Sequence, residues 1–409
     1  MNRTKEAVLL MSSLSVYKGI MQRTVAKAYY KLLLAFDKDI FEFCRAWGEF
    51  FAVLCDRGCS DNFAKCLTET VLFDENAFSR ASAQGIQKEL PSTVLNAVQR
   101  DIDAIRKLSS LSPDIILNEY KYKDELGTLS ENLPLWKCGQ PVSEFFDENT
   151  IDRLAEFYFR NGCGVFARYK AFIWREHDIQ PVIHPDSIRL SSLKGYDTPR
   201  GIVVNNTLAF LKGIESNNCL LYGDRGTGKS STVKAILNEY SKDGLRMVEM
   251  PKERLSEFPL LVDKIAPLPL KFVIFIDDLS FSGEDKSYAE LKAVLEGSLA
   301  ARPENTLIYA TSNRRHIIKE TFSDRDGDDM HRNDTIQEMM SLSDRFGITV
   351  NFSKPDKEQY LEIVKSLAKE SGIDTVTEEL CAKAEKWAIQ KGGRSPRAAR
   401  QFIRQLSIE

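Results

Sequence analysis

Long uncharged apolar runs are missing from this chain. The most apolar stretch, Tyr29 to Leu54, is broken by Lys31, Asp37, Lys38, Asp39, Glu42, Arg45 and Glu49. No run reaches the roughly 18 residues that a membrane span needs, so no membrane partner is expected. Histidine is scarce as well: His177, His184, His316 and His331 stand singly, which fits neither a histidine metal site nor a nucleophile triad. The cysteines, Cys44, Cys55, Cys59, Cys66, Cys138, Cys163, Cys219 and Cys381, follow no regular framework, which suits a reducing compartment and makes the cytoplasm the expected location. Cys55, Cys59 and Cys66 have no fourth ligand to complete a tetrahedral set, so they read as core or surface thiols. Neither sign of charge is in excess: 56 Lys and Arg against 59 Asp and Glu leave a formal net charge of -3. That balance gives no whole-molecule footprint for nucleic acid, although a local basic patch fits inside it. The amino end carries no signal-peptide apolar core with a cleavage site, so secretion is not expected, and no internal repeat is visible.

What remains is an ordinary globular composition, 43% hydrophobic and 28% charged over 409 residues, which is long enough for two or three domains. From Val16 to Asp56, Leu32, Leu33, Phe36, Ile40, Phe43, Trp47, Phe50 and Phe51 form a broad stripe at helical spacing, which predicts one or two helices. Further helices are predicted over Thr93 to Leu108 and over Ile151 to Arg175. Residues 1–180 therefore read as a mostly α-helical domain. A linker is expected near Gln180 to Ser187, where Pro181 and Pro185 break the pattern.

Beyond the linker the period changes. Short apolar strand candidates, Cys219 to Tyr222, Arg246 to Met250, Phe272 to Asp277, Thr306 to Thr311 and Ile348 to Phe352, alternate with helices. Alternation of this kind predicts an α/β architecture, an αβα sandwich around a parallel five-stranded sheet spanning residues 187–354. Residues 355–409 hold no strand candidate and read as a small helical lid.

Gly223-Asp224-Arg225-Gly226-Thr227-Gly228-Lys229-Ser230 fits the complete phosphate-loop pattern, with an apolar strand before it and a helix from Ser231 after it. The glycines let backbone N–H groups close around phosphates, and the helix turns its positive end toward the anion. Lys229 is expected to reach the outer phosphates, and Ser230 to offer a hard hydroxyl oxygen to Mg²⁺. The run Phe272 to Ile276 ends in Asp277-Asp278. Taken alone, such a run is more often an ordinary strand end, but downstream of a phosphate loop Asp277 becomes the metal-side carboxylate. Asp278 then becomes the group that orients or deprotonates the attacking water. One strand candidate separates the two motifs, an arrangement of motor-type ATPases rather than small nucleotide kinases. At the end of the next strand Asn313 could hold the water or sense the γ-phosphate; on local sequence it serves equally as a helix cap. The charge-rich segment Thr321 to Glu338 reads as an exposed insertion. Arg314, Arg315, Arg394, Arg397, Arg400 and Arg404 read by default as solvated faces.

The order of phosphate loop, Asp-Asp strand, Thr-Ser-Asn strand end, Ser341-Leu342-Ser343-Asp344-Arg345-Phe346-Gly347 and terminal Gly393-Arg394-Ser395-Pro396-Arg397 resembles an AAA+ ATPase. Over roughly Leu190 to the carboxyl end the chain is similar to a bacterial family of AAA-type ATP-binding proteins, domain of unknown function 815, in which Leu193-Lys194-Gly195-Tyr196-Asp197 and Asn205-Asn206-Thr207 precede the phosphate loop. The resemblance implies Mg-ATP as ligand, hydrolysis to ADP and phosphate, and a homo-oligomer in which Arg345 is the finger that a neighbouring subunit inserts toward the γ-phosphate. It also implies that Arg397 reads the nucleotide from the lid, that Tyr196 lies near the adenine, and that turnover remodels or loads a protein or nucleic-acid client. Many relatives in the wider superfamily carry Asp-Glu where this chain has Asp277-Asp278, which favours slow turnover. An ATP-dependent binding switch or adaptor is the alternative.

Overall fold

The computed structural model describes residues 2–145, 149–279, 281–282, 286–296, 303–313, 318–319, 345–373 and 377–406. Arg314, Arg315, His316, the segment Thr321 to Glu338 with His331, and Ser341 to Asp344 lie outside the described residues. The chain divides into two compact units, Met1–Arg168 and Tyr169–Glu409.

The first unit is helical, and its longest elements follow the sequence periodicity. The predicted stripe from Val16 to Asp56 becomes two α-helices, Thr24–Ala35 and Ile40–Asp56. Asp39 opens the second by accepting a hydrogen bond from Glu42 N at 3.0 Å, satisfying one of the orphan donors of the first turn. Phe43, Trp47, Phe50 and Leu54, at i, i+4, i+7 and i+11, are all buried on its inner face. Helix Ser92–Ser109 covers the second predicted pattern, and Asp101 on its buried face accepts from Ser15 N and Tyr17 N at 2.9 and 3.0 Å. The third predicted helix is corrected. Thr150–Asn161 and Gly164–Arg168 are helical, but Ala171–Arg175 is a strand. The thiol reading of Cys59 and Cys66 is corrected too: the two are joined in a disulfide, their Cα atoms 5.9 Å apart. The turn after the helix ending at Asp56 brings Cys59 back beside Cys66 on helix Phe63–Leu72, a closeness that a seven-residue spacing does not reveal.

Among its described residues the second unit contains nine strands: β1 Ala171–Arg175, β2 Asp178–Pro181, β3 Cys219–Gly223, β4 Leu245–Glu249, β5 Lys271–Ile276, β6 Phe281–Ser282, β7 Thr306–Ser312, β8 Ile318–Lys319 and β9 Ile348–Phe352. Seven form one sheet in the order β2-β1-β4-β5-β7-β3-β9, and β6 pairs with β8. The expected five strands are all present, yet the sheet is wider. β1, from within the span expected to be helical, adds in parallel to β4, and β2, where that span meets the expected linker, returns antiparallel to β1. β5 and β7 are buried along nearly their whole length, as strands covered on both faces must be. Alternate residues of five strands (Cys219, Leu221, Leu245, Met247, Val273, Phe275, Leu307, Tyr309, Val350 and Phe352) share one core with Val203 and Phe210 of helix Asp197–Leu211 and Val233 and Ile236 of helix Lys229–Tyr240. A polar network crosses this layer with its partners in place: Asn206 Nδ2 donates to Asn217 O at 2.9 Å and to the Tyr309 hydroxyl at 3.1 Å, and Thr207 shares a 2.8 Å bond with the same hydroxyl. Residues from the other face, among them Leu220, Phe272, Ile274 and Ile308, are buried as well. The result is an αβα P-loop sandwich.

Helices Lys357–Glu370, Glu378–Gln390 and Pro396–Leu406 come after β9, with a small core of their own made by Tyr360, Val364, Ala384, Ala399, Phe402 and Ile403. The strand order decides which side chains can meet at the sheet edge: β7 lies between β3, which carries the phosphate loop, and β5, which carries the two carboxylates.

Candidate functional site

β3 ends at Gly223 with φ of 131°, a conformation that side chains rarely adopt. A Cβ there would sit 2.3 Å from the carbonyl oxygen of Phe352 on the neighbouring strand, so only glycine lets the loop leave the sheet at this point. Asp224 continues the turn, its N–H donating to Phe352 O at 3.1 Å and its carboxylate accepting from Lys354 N at 2.9 Å. Gly228, left-handed, occupies the N-cap of helix Lys229–Tyr240 with no side-chain cap bond, so the helix presents its first N–H groups to the cleft.

That cleft has a volume of about 560 Å³. Arg225, Gly226, Thr227, Gly228, Lys229, Ser230 and Ser231 line it from the loop side, Asp277, Asp278, Thr311 and Asn313 from the strand ends, and Tyr196 and Arg397 from the far side. Lys229 is 6% exposed. Its ammonium donates to Gly223 O at 2.9 Å, Asp224 O at 2.7 Å and Asn313 Oδ1 at 3.2 Å. Burial pushes its pKa below the usual lysine value, while the carboxylates of Asp224, Asp278 and Asp277 pull the other way. Ser230 Oγ donates to Asp277 Oδ1 at 2.6 Å. Asn313 turns its other end, Nδ2, to Asp278 Oδ1, so one amide bridges the loop lysine and the second carboxylate. Asp278 itself is left-handed, with φ of 53°.

Hard oxygens of Ser230 and Asp277 lie side by side where the loop meets the carboxylate strand, and these are the residues that would hold a magnesium ion, Ser230 by its hydroxyl and Asp277 through water. Tyr196 and Phe352 add an aromatic patch to a lining that also carries Arg397, Arg400 and Arg404. Tyr196, left-handed at φ 60°, stacks its ring on Phe352 with centroids 5.4 Å apart, and its hydroxyl donates to Ser353 O at 2.6 Å. Burial, with Asp224 nearby, pushes its phenol well up.

The lid reaches the loop directly: Arg397 N donates to Gly226 O at 3.3 Å, and a Cβ on Gly226 would press on Ser395 Oγ and Arg397 Cβ at 3.2 and 3.3 Å. Arg397 and Arg404 are exposed, as the solvated-face reading expects, yet both also line the cleft. Arg397, Arg400 and Arg404, at i, i+3 and i+7, present one helical face to the cleft, and Arg400 donates to Ser192 O at 2.7 Å. Arg394 instead pairs with Glu385 through two of its nitrogens. Arg345, half-buried just before β9, is not among the residues lining the cleft of its own chain.

Sequence reasoning missed Arg200, which lines the cleft and ties Leu193 O and Asp197 together, and Thr311, whose hydroxyl meets both carboxylate residues. The place of Thr311 just before Ser312-Asn313 was a usable signal. Nothing local marks Arg200.

The model of a family described as protein of unknown function (DUF815) matches residues 167–409. No curated protein matches the chain. Among solved structures, the RuvB Holliday junction branch migration motor of Thermotoga maritima is 17% identical, with a TM-score of 0.37 over 54% of this chain and 64% of that one. AMPPCP-bound DnaA from Aquifex aeolicus is also 17% identical, with a TM-score of 0.39 over 56% and 67%. The chain thus spans less than two thirds of the RuvB chain.

Proposed function

The chain belongs to the DUF815 family, and on that premise we propose that it binds Mg-ATP in the cleft and hydrolyses it to ADP and phosphate as an AAA+ ATPase. The observation that carries the proposal is the convergence of Lys229, Ser230, Asp277, Asp278 and Asn313 on one volume, linked by hydrogen bonds. The backbone N–H groups of Gly226 to Ser231 and the Lys229 ammonium take the phosphates. Ser230 keeps oxygen lone pairs for magnesium while its proton goes to Asp277, and the ion when bound neutralises charge on the phosphate oxygens. Asp278 and Asn313 together orient the attacking water. Tyr196 and Leu193 lie against the adenine, and Arg397 reads the outer phosphates from the lid.

Because Arg345 is outside the cleft of its own chain, its proposed place is the γ-phosphate of a neighbouring copy, where a finger contributes about 10³-fold or more in rate. A homo-oligomer follows from that assignment. The working division is a helical portion over residues 1–168, an ATPase core that includes β1 and β2 over 169–354 and a lid over 355–409, in the cytoplasm, with turnover coupled to remodelling or loading of a protein or nucleic-acid client. One observation favours the second reading, an ATP-dependent switch: the short Asp278 carboxylate is already engaged by the Asn313 amide, which slows any use of it on water.

The test is ATP turnover against protein concentration for the natural chain, Lys229→Ala, Asp278→Asn and Arg345→Ala, with oligomeric mass measured in parallel. The ATPase reading expects activity that rises with assembly and falls in all three variants. Tight nucleotide binding with negligible turnover, sensitive mainly to Lys229, would overturn it in favour of the switch.

A further inference from the structure

Thr311 stands at the end of the strand that separates the phosphate loop from the carboxylates, and it is 2% exposed. Three contacts tie it to a single turn. Its hydroxyl donates to Asp277 Oδ1 and accepts from Asp278 N at 3.0 Å, and its carbonyl accepts from Leu279 N at 2.7 Å. That turn contains Asp278 in the left-handed region, which few residues other than glycine, asparagine and aspartate enter.

The direction of the bonds is chemically fixed. A backbone N–H can only donate, so Asp278 N–H donates to the threonine oxygen, and the one hydroxyl proton goes to Asp277 Oδ1. The hydrogen-bond chain therefore runs from Asp278 N–H through the Thr311 hydroxyl to Asp277 Oδ1 as its final acceptor. Ser230 Oγ and Asp278 N donate to the same Oδ1, at 2.6 and 3.1 Å. Three donors converge on that one oxygen, and none of the three contacts Oδ2.

We propose that Thr311 is a positioning residue for both carboxylates: its hydroxyl fixes the orientation of the Asp277 carboxylate and holds the Asp278 backbone so that the Asp278 carboxylate faces the cleft. This rests on the Mg-ATP reading above and goes beyond it by assigning the setting of both acids to a neutral side chain on a different strand. Valine has the shape of threonine without the hydroxyl, and serine keeps the hydroxyl without the methyl, so the pair separates bonding from packing.

The experiment compares the natural full-length chain with Thr311→Val and Thr311→Ser by two readouts. The first is a Mg²⁺ titration of fluorescent ADP binding, and the second is steady-state ATP turnover. Thr311→Val is expected to raise the Mg²⁺ concentration of half effect about tenfold, and to lower kcat by about 10- to 100-fold with KM little changed, as losses behind a metal ligand do. Thr311→Ser is expected to restore both. A valine variant with the natural Mg²⁺ midpoint and kcat overturns the proposal, and so does a serine variant as impaired as the valine one. If the natural chain binds Mg-nucleotide but does not turn over, the hydrolysis reading fails and the Mg²⁺ titration alone decides the role of Thr311. If it binds no Mg-nucleotide, both fall together. Should Thr311→Val fail to fold, Thr311→Cys, with a thiol that donates and accepts weakly, takes its place in the same comparison.

Discussion

At the scale of single residues, the phosphate loop is held by exclusions as much as by attractions. Gly223 combines a φ of 131° with a carbonyl oxygen where its Cβ would be, so Gly223→Ala has to move either the loop or β9. We expect a loss of at least about 2 kcal/mol, read as a lower urea midpoint for the Tyr169–Glu409 unit, together with lost nucleotide affinity. An unchanged midpoint would refute the packing argument. Residues such as Gly223, Lys229, Ser230 and Asp277 could be named from sequence because their chemistry is carried by a fixed spacing. Arg200 could not, because what it does depends on a carbonyl brought near by the fold, and although the place of Thr311 before Ser312-Asn313 was a signal, its part depends on strand order. Cys59 and Cys66 were hidden for the same reason: the bond depends on a turn that no spacing rule encodes.

At the scale of elements, the five expected strands were legible to within a residue or two: Ile348–Phe352, at the sheet edge, matches its expected range, and the central Lys271–Ile276 is displaced by one residue. β1 was not, since Ala171-Phe172-Ile173-Trp174-Arg175 is an apolar run too short for its period to separate strand from helix, and its partner β4 is distant in sequence. The lid helix Pro396–Leu406 shows how one element serves two purposes. Ala398, Ala399, Phe402 and Ile403 are buried in the lid core, while Arg397, Arg400 and Arg404 face the cleft. The two faces should separate on substitution. Phe402→Ala is expected to cost about 3–5 kcal/mol of stability by leaving a cavity. Arg404→Ala, on an exposed position, should change stability by no more than about 0.5 kcal/mol yet weaken nucleotide binding. Denaturant curves and nucleotide titrations on the two variants check both halves; equal stability losses would show that the faces are not independent.

At the scale of the whole molecule, the chain holds cores that share no residues: one built by the helices of Met1–Arg168, another under the sheet and a third within the lid. A unit with its own core has its own unfolding equilibrium, and a ligand stabilises only the folded unit that binds it. Calorimetry of the full chain is therefore expected to show two transitions. Mg-nucleotide at about 100 times its Kd adds about 2.7 kcal/mol to the unit that carries the cleft. For a unit of that size the shift is about 2–4 °C per kcal/mol, and the other transition stays where it was. Reduction of Cys59–Cys66 gives the mirror experiment: it releases a short loop worth about 2–3 kcal/mol by chain entropy, and lowers only the transition that nucleotide leaves alone. A single transition that responds to both treatments would mean that the two units unfold as one. The ATP site and the helical unit would then share one free energy, which is the form that coupling of nucleotide state to a client would take.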